Sequence, residues 1–350
     1  MSVLKRILQC KRMMWGLGYS YPYYVNFNIT NQCNSKCLSC GIWKFHLQHD
    51  REELSYVQVQ NILMKLPEPL WLTLGGGEVY LREDLIEIAE SAWNCYPHLY
   101  GLGISTNGLL TDRIVNVTKD MLKRKRNLRV SVSIDGYDKL NDEIRGVSGS
   151  YTKSLNAYYQ LKQLEKDHKY FSTGVNYTIS SFNAGKLQSF IEETGIVPDI
   201  SLTHKGDPAF NNSVEVDYLV DNSQNELVLD DLNYLLSQYE ITDPRTVIKR
   251  IFIKKMKQHL KNPSKMVLPC SALCASIFID PFGIAFPCTI WSQPLGSLLD
   301  YNFEELWKSD QAKYARELIK KEKCSLPCFS GCESTHTILQ AMPWVLRWAI

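Results

Sequence analysis

Residues 23–30, YYVNFNIT, run directly into residues 31–40, NQCNSKCLSC. The first stretch is rich in aromatic and β-branched residues and predicts a strand. The second carries Cys33, Cys37 and Cys40 with no periodic pattern, so a strand delivers the chain into a loop of three thiols. Working outward, the same punctuation recurs. Leu70 to Leu74 (LWLTL) predicts a strand that Gly75, Gly76 and Gly77 end abruptly, after which Leu81, Leu85, Ile88 and Ala92 recur at helical spacing. Tyr100 to Ser105 predicts a third strand, closed by Thr106-Asn107-Gly108, and Leu128 to Ile134 (LRVSVSI) a fourth, closed by Asp135-Gly136. Phe171 to Ser180 and Ile196 to Thr203 give a fifth and a sixth. Strands alternating with helix-length segments mean repeated βα units, an α/β class and a parallel sheet. Ligands in such folds gather at the carboxyl ends of the strands, where each of these turn signals sits.

Composition narrows the class further. The 350 residues are 45% hydrophobic and 22% charged, an ordinary globular balance that excludes disordered and low-complexity chains. Thirty-nine basic against 37 acidic residues leave a net charge of +2, so no nucleic-acid partner is expected. The chain has no apolar run long enough for a membrane span and no export signal, which points to the cytoplasm. A length prior of roughly 150 residues per domain suggests two domains, or one with an appendage. From Pro208 to about Pro269 the pattern turns polar and helical. Its basic stretch, Lys249 to Lys265, reads as a solvated connector in preference to a nucleic-acid surface.

Eleven cysteines are many for a reducing compartment, where clustered thiols bind metal more often than they form disulfides. Cys33-x3-Cys37-x2-Cys40 forms one group, and Cys270, Cys274, Cys288, Cys324, Cys328 and Cys332 a second. Cys10 and Cys95 stand apart as incidental thiols. Three ligands in the first group are informative. A structural zinc site wants four, whereas a [4Fe–4S] cluster held by three cysteines leaves one iron open to another molecule. The segment from Cys270 on is too short and too rich in cysteine for a large core, so metal is expected to stabilise it.

The ITNQCNSKCLSC stretch, together with the strand-end turns, resembles the radical S-adenosylmethionine (SAM) superfamily. The resemblance implies a partial (β/α)6 TIM-like barrel in which Cys33, Cys37 and Cys40 hold a [4Fe–4S] cluster that binds SAM. Gly76-Gly77-Glu78 looks like the family's motif for the SAM amino group, where glycine allows close approach and a carboxylate suits an ammonium. Ser133 and Asp135 look like its ribose-binding positions, and Thr106-Asn107-Gly108 like its TNG turn. Asn176 is a further candidate for cofactor contact, and Arg145 stands where related sequences carry an arginine facing the SAM carboxylate. Ser39 and Val79 depart from the family's usual residues, an aromatic side chain and a proline.

The second group resembles the SPASM and twitch extensions, which hold auxiliary [4Fe–4S] clusters. Gly283 precedes Cys288 by a Gly-x4-Cys turn, and Phe303-Glu-Glu-Leu-Trp307 follows. The resemblance implies one auxiliary cluster on Cys270, Cys274, Cys288 and one of the last three cysteines, Cys332 first. A second cluster would use Cys324 and Cys328 with a non-cysteine ligand. Zinc remains an alternative for this segment. The expected organisation is an amphipathic N-terminal segment (1–22), a barrel core (23–207), a helical connector (208–269), an auxiliary Fe–S domain (270–335) and an amphiphilic tail (336–350). Both ends can lie on a membrane surface but are expected to pack on the barrel.

The implied reaction is reductive cleavage of SAM to a 5′-deoxyadenosyl radical that abstracts a substrate hydrogen, which makes the chain an oxidoreductase or maturase. An electron donor such as flavodoxin or ferredoxin is implied as partner. No general acid or base stands out; His204 and Asp207, just past the sixth strand, are the nearest candidates. Oxidative modification of a peptide or protein leads. The alternatives are oxidation or epimerisation of a small molecule (a sugar, an aminocyclitol or a lipid-related compound) and a zinc-stapled binding protein without catalysis. With about 20 residues before the first strand, a peptide-recognition module is expected to be a separate protein.

Overall fold

The computed structural model describes residues 21–44, 52–203, 219–240, 246–323 and 328–340. Six strands lie side by side in chain order, each parallel to the next. They are β1 (Tyr24–Thr30), β2 (Trp71–Gly76), β3 (Gly101–Thr106), β4 (Leu128–Ser133), β5 (Phe171–Ile179) and β6 (Asp199–Leu202). Crossovers between them hold α1 (Tyr56–Lys65), α2 (Leu85–Cys95), α3 (Thr111–Leu122), α4 (Lys139–Arg145), α5 (Ser150–Asp167) and α6 (Leu187–Thr194). This is the expected α/β architecture, a partial (β/α)6 TIM-like barrel.

The sequence alternation sets which face of the sheet meets the helices. Val25, Phe27 and Ile29 of β1 are fully buried, as are Leu72 and Leu74 of β2 and Val130 and Val132 of β4, and all join one apolar core with the helices. The intervening residues, Tyr24, Asn26 and Asn28 on β1, point to the opposite face. Helix starts are locally encoded too. Ser55 and Gln58 form a reciprocal capping box at α1 that supplies partners for two of the amide N–H groups left open at a helix start.

The Cys-rich segment does not stand as a separate core. Its strand β7 (Ser276–Ile279) pairs in parallel with β1, and β8 (Ile284–Phe286) and β9 (Gly296–Ser297) continue antiparallel, giving one nine-stranded sheet. Ile277 and Ile279 are buried in the barrel's own core, as are Leu298, Leu306 and Phe329. Leu54 N–H donates to Pro281 O at 2.8 Å and Lys65 Nζ to Leu298 O at 2.7 Å, so α1 and its lead-in are tied to this segment. Besides any metal, it shares the barrel's apolar burial, so it does not rely on a core of its own. Three helices complete it, α9 (Phe303–Lys308), α10 (Asp310–Lys320) and α11 (Gly331–Gln340).

The segment read as a solvated connector is also packed. Helices α7 (Asn225–Ser237) and α8 (Val247–Lys261) bury Val228, Leu232 and Leu235, and Ile253, Met256 and Leu260. Asp231 of α7 accepts from the N–H groups of Leu187 and Gln188 at the start of α6. Of the lysines of α8, Lys249 pairs with Asp199 at 2.6 Å. Of the two end segments, 1–22 and 336–350, residues 1–20 and 341–350 lie outside the described residues, as do His204 and Asp207. Among the described residues no helix is long and apolar enough to cross a membrane.

Candidate active site

Cys33, Cys37 and Cys40 lie on the loop that leaves β1, all half-buried. The loop is held from two sides. On one side, Glu53 accepts from Thr30 Oγ1 at 2.7 Å and Asn31 N–H at 2.6 Å. On the other, the end of α4 takes three donors: Ser35 Oγ (2.8 Å) and Lys36 N–H (3.1 Å) give to Arg145 O, and Leu38 N–H gives to Ile144 O (2.8 Å). Gly146 follows in a left-handed conformation, φ 64°, where a Cβ would stand 2.4 Å from Lys36 O. Burial pushes the Cys33 thiol up to about 11 and the Cys40 thiol to about 12, with Cys37 adding like-charge repulsion to both. Three thiolates here need a cation to hold them, which fits an iron–sulfur cluster. Among the described residues no three His, Cys, Asp or Glu side chains close up around a single metal ion.

The two glycines of the Gly76-Gly77-Glu78 turn are also required by the backbone packed against them. A Cβ on Gly76, whose φ is 121°, would lie 2.0 Å from Thr30 O, and one on Gly77 2.1 Å from Gln32 O. What approaches them is the backbone entering the Cys loop, bonded through Gly77 N–H to Thr30 O and Glu78 N–H to Gln32 O, both 2.8 Å. The Glu78 side chain likewise does not face open space. It is fully buried and accepts from Thr106 Oγ1 at 2.9 and 3.0 Å, Asn107 N–H at 2.7 Å and Tyr80 N–H at 3.2 Å. Burial raises its carboxyl to about 7 against these donors. The carboxylate joins the ends of β2 and β3.

Asn107 is drawn to the Cys loop. Its Nδ2 donates to Asn34 Oδ1 at 2.7 Å and reaches Cys33 Sγ at 3.9 Å, while its carbonyl accepts from Ser154 Oγ at 2.6 Å. Asp135 and Arg145, expected on the ribose and the carboxylate of SAM, are partners of each other: Arg145 Nη2 stands 2.7 Å from Asp135 Oδ2. Asp135 also accepts from Thr178 N–H at 2.7 Å, and its carboxyl is raised by burial against the pull of Arg145. Ser133 and Asn176 sit opposite each other on β4 and β5, half-buried, with no side-chain hydrogen bond among the described residues. Of the expected cofactor positions, these two side chains are the ones left available.

Below this rim the face turned from the helices is polar and small. Its strand positions include Asn26, Asn28, Thr73, Gly103, Ser105, Ser131 and Ser133. The side chains of Asn26, Asn28, Ser105 and Ser131 make no hydrogen bond among the described residues. Asn26, Asn28 and Ser105 are only partly buried, so their polar groups are open to whatever enters. The floor is filled. The Trp71 indole lies where Cβ atoms on Gly101 and Gly103 would stand, 2.4 and 3.0 Å from it, and Tyr24 OH donates to Thr73 Oγ1 at 3.3 Å. The two charged strand positions of this face, Arg129 and Asp199, pair at 2.6 Å, and Lys249 takes the other Asp199 oxygen. Sequence reasoning passed over this lining, although the alternate asparagines of β1 signal it.

The described members of the second cysteine group, Cys270, Cys274, Cys288 and Cys328, lie at the other end of β1. Ala275 O accepts from Tyr23 and Tyr24 N–H at 3.0 Å, which sets Cys274 beside the start of that strand. Cys270, Cys288 and Cys328 interact electrostatically with one another, and burial, the largest cause, raises the first two thiols. Cys274 is exposed instead, next to Leu273, which is held at φ 56° with its carbonyl accepting from Arg316. Cys324 and the side chain of Cys332 lie outside the described residues. Glu333 is buried in the same region, accepting from Ser271 Oγ and from Ser276 Oγ at 2.7–2.8 Å.

Residues 27–183 match the radical SAM superfamily and form a radical SAM domain, and residues 270–333 match the SPASM iron-sulfur cluster-binding domain. Members of this superfamily are enzymes; the first domain binds a [4Fe–4S] cluster and SAM, the second auxiliary iron–sulfur clusters. The chain is 28% identical over 190 residues to Fe-coproporphyrin III synthase of Methanosarcina barkeri, 51% of this chain and 43% of that one. It is 20% identical over 333 residues to the subtilosin biosynthesis protein AlbA of Bacillus subtilis, 89% and 67% of the two chains. The chain spans about two-fifths of the length of the first curated relatives it matches. In fold it resembles anSMEcpe with bound AdoMet (TM-score 0.62, 16% identity, 94% of this chain and 99% of that). It also resembles Streptococcus suis SuiB bound to the precursor peptide SuiA (0.56, 14%, 88% and 68%).

Proposed function

We propose that the chain oxidatively modifies a peptide or protein, with Cys33, Cys37 and Cys40 holding the SAM-binding cluster. The cluster and SAM, when bound, supply a 5′-deoxyadenosyl radical by one-electron cleavage of a carbon–sulfur bond. The chain's own residues hold, orient and enclose. The Gly76-Gly77 turn seats the Cys loop against β2, and its backbone groups together with Ser133 and Asn176 are the groups for SAM. The walls of the barrel receive the substrate. Cys270, Cys274 and Cys288 with one of Cys324, Cys328 and Cys332 hold an auxiliary cluster at the far end of β1, placed to take the electron that the oxidised substrate loses.

The observation that carries the peptide reading is the neutral, hydrogen-bonding lining. Asn26, Asn28, Ser105 and Ser131 suit amide and hydroxyl groups, and the Arg129–Asp199–Lys249 cluster is already paired. A polycarboxylate such as a porphyrin would call for unpaired cations, and this face carries none among the described strand positions. AlbA, a bacteriocin biosynthesis protein, and SuiB, seen with its precursor peptide, support the same reading. Peptides co-expressed with the chain under anaerobic conditions, then analysed by mass spectrometry, are expected to lose two hydrogens. If only small polar metabolites are consumed, with no peptide changed, the small-molecule alternative replaces it. An electron donor and a separate peptide-recognition protein belong to this proposal.

A further inference from the structure

Arg145 is the cation at the centre of the candidate site, and its surroundings do not fit a residue reserved for SAM. Its side chain is 12% exposed. Nη2 is engaged by Asp135 at 2.7 Å and Nη1 points to Cys37 Sγ at 3.7 Å, while Nε is buried without a partner. Its own carbonyl accepts from Ser35 and Lys36, and Ser35 Oγ lies 3.2 Å from Cys37 Sγ. One residue therefore grips the middle cysteine through its side chain and the loop around that cysteine through its backbone. The groups facing the guanidinium are anionic or become so with metal: Cys37, Cys40, Glu78 and Asp135.

We infer that Arg145 acts on the cluster, holding Cys37 by hydrogen bond and charge and thereby easing the cluster's one-electron reduction. Reduction adds one negative charge to the cluster, taken from the external donor, and breaks no bond. A fixed cation beside a ligand sulfur stabilises the more negative form, and hydrogen bonds to ligand sulfurs raise iron–sulfur potentials. Burial strengthens the effect because little water intervenes. Asp135 holds the guanidinium in place. Nε is the one guanidinium nitrogen without a partner, while both terminal nitrogens are turned to Asp135 and Cys37, so Arg145 is a positioning residue for the cluster first.

This inference rests on Cys33, Cys37 and Cys40 being the ligands, which iron content of the Cys37→Ala chain tests separately. The test of Arg145 is a redox titration of the full reconstituted chain. It follows the component of the EPR signal that SAM perturbs, in wild type, Arg145→Gln and Arg145→Lys. At a fixed poise Arg145→Gln is expected to lower the reduced-to-oxidised ratio about tenfold, which for a one-electron couple is about 59 mV. Arg145→Lys, keeping the charge and losing the fork, should fall between the two. A fully loaded Arg145→Gln with the wild-type ratio overturns the inference. If Arg145→Gln fails to hold iron, Arg145→Lys decides alone: a lowered ratio supports, an unchanged one overturns. Loss of iron in both makes Arg145 a clamp for assembly and overturns it as well.

Discussion

A methyl group on Gly76 would sit 2.0 Å from the carbonyl oxygen of Thr30. The end of β1 and the end of β2 are thus in backbone contact where the Cys loop begins, and Gly76 at φ 121° can take that conformation where an L side chain cannot. Gly76→Ala is expected to cost several kcal/mol, roughly 3–5 for a change that shifts buried backbone, and to abolish SAM cleavage. Gly149→Ala is the control. A Cβ there meets nothing within 4 Å, and its φ of 75° sets the cost at about 1 kcal/mol. Chemical denaturation of both variants checks the contrast; equal losses would show that the contact with Thr30 does not matter.

Glu78 links two strand ends by accepting from Thr106, Asn107 and Tyr80. Glu78→Ala leaves these buried donors unsatisfied, at about 1–3 kcal/mol each. Glu78→Gln keeps the shape and one acceptor. The alanine variant should unfold at clearly lower denaturant than the glutamine variant. A glutamine variant as unstable as alanine would mean that the charge, not the hydrogen-bond set, is what the site uses.

Removing ligands should separate the two cysteine groups. A [4Fe–4S] cluster at each site gives about eight irons, and losing either leaves about four. Cys33→Ala is expected to stop 5′-deoxyadenosine formation while auxiliary iron remains. Cys288→Ala should leave SAM cleavage and lose substrate turnover. Anaerobic iron and sulfide analysis with product chromatography reads both. Stoichiometric zinc in place of iron in the second group would replace the auxiliary cluster with a structural site.

His336 of α11 is packed against Tyr24 at a ring distance of 4.3 Å, and burial holds its imidazole down to about 4 from the usual 6.5. A base whose folded pKa is depressed contributes stability that is complete above pH 6.5 and lost as pH falls toward 4. The loss is about 3 kcal/mol at about 1.4 kcal/mol per unit. His336→Phe should flatten the stability curve between pH 6.5 and 4 while wild type declines. Parallel curves for the two chains would show that another group carries the acid sensitivity.

The strands were legible in the sequence because each combines β-branched runs with a glycine or Asx-Gly turn at its end. The Cys loop was legible from spacing and position. What local pattern could not show is direction and distance. Nothing in the letters Gly-Gly-Glu tells that Glu78 turns inward, since that depends on Thr106 arriving from a different strand. The grip of Arg145 on Ser35 joins residues 110 positions apart. The parallel pairing of β7 with β1 was hidden because Ser276–Ile279 is four residues long, too short to carry a period, and its partner lies about 250 residues earlier. The lining asparagines were in plain view as every second residue of β1, but a strand reading looks first for its apolar partners.

The flanking of β1 on both sides has a consequence for how electrons would travel. The strand is seven residues long, paired with β2 on one edge and β7 on the other, with one cysteine group at each end. At about 3.3 Å per residue it is a ruler of roughly 20 Å. The separation of the two cysteine-bearing ends is therefore set by covalent length inside a sheet. Deleting two residues from β1 would keep every side chain on its proper face and shorten the ruler by about 7 Å. Tunnelling distance could then be changed as a variable of its own.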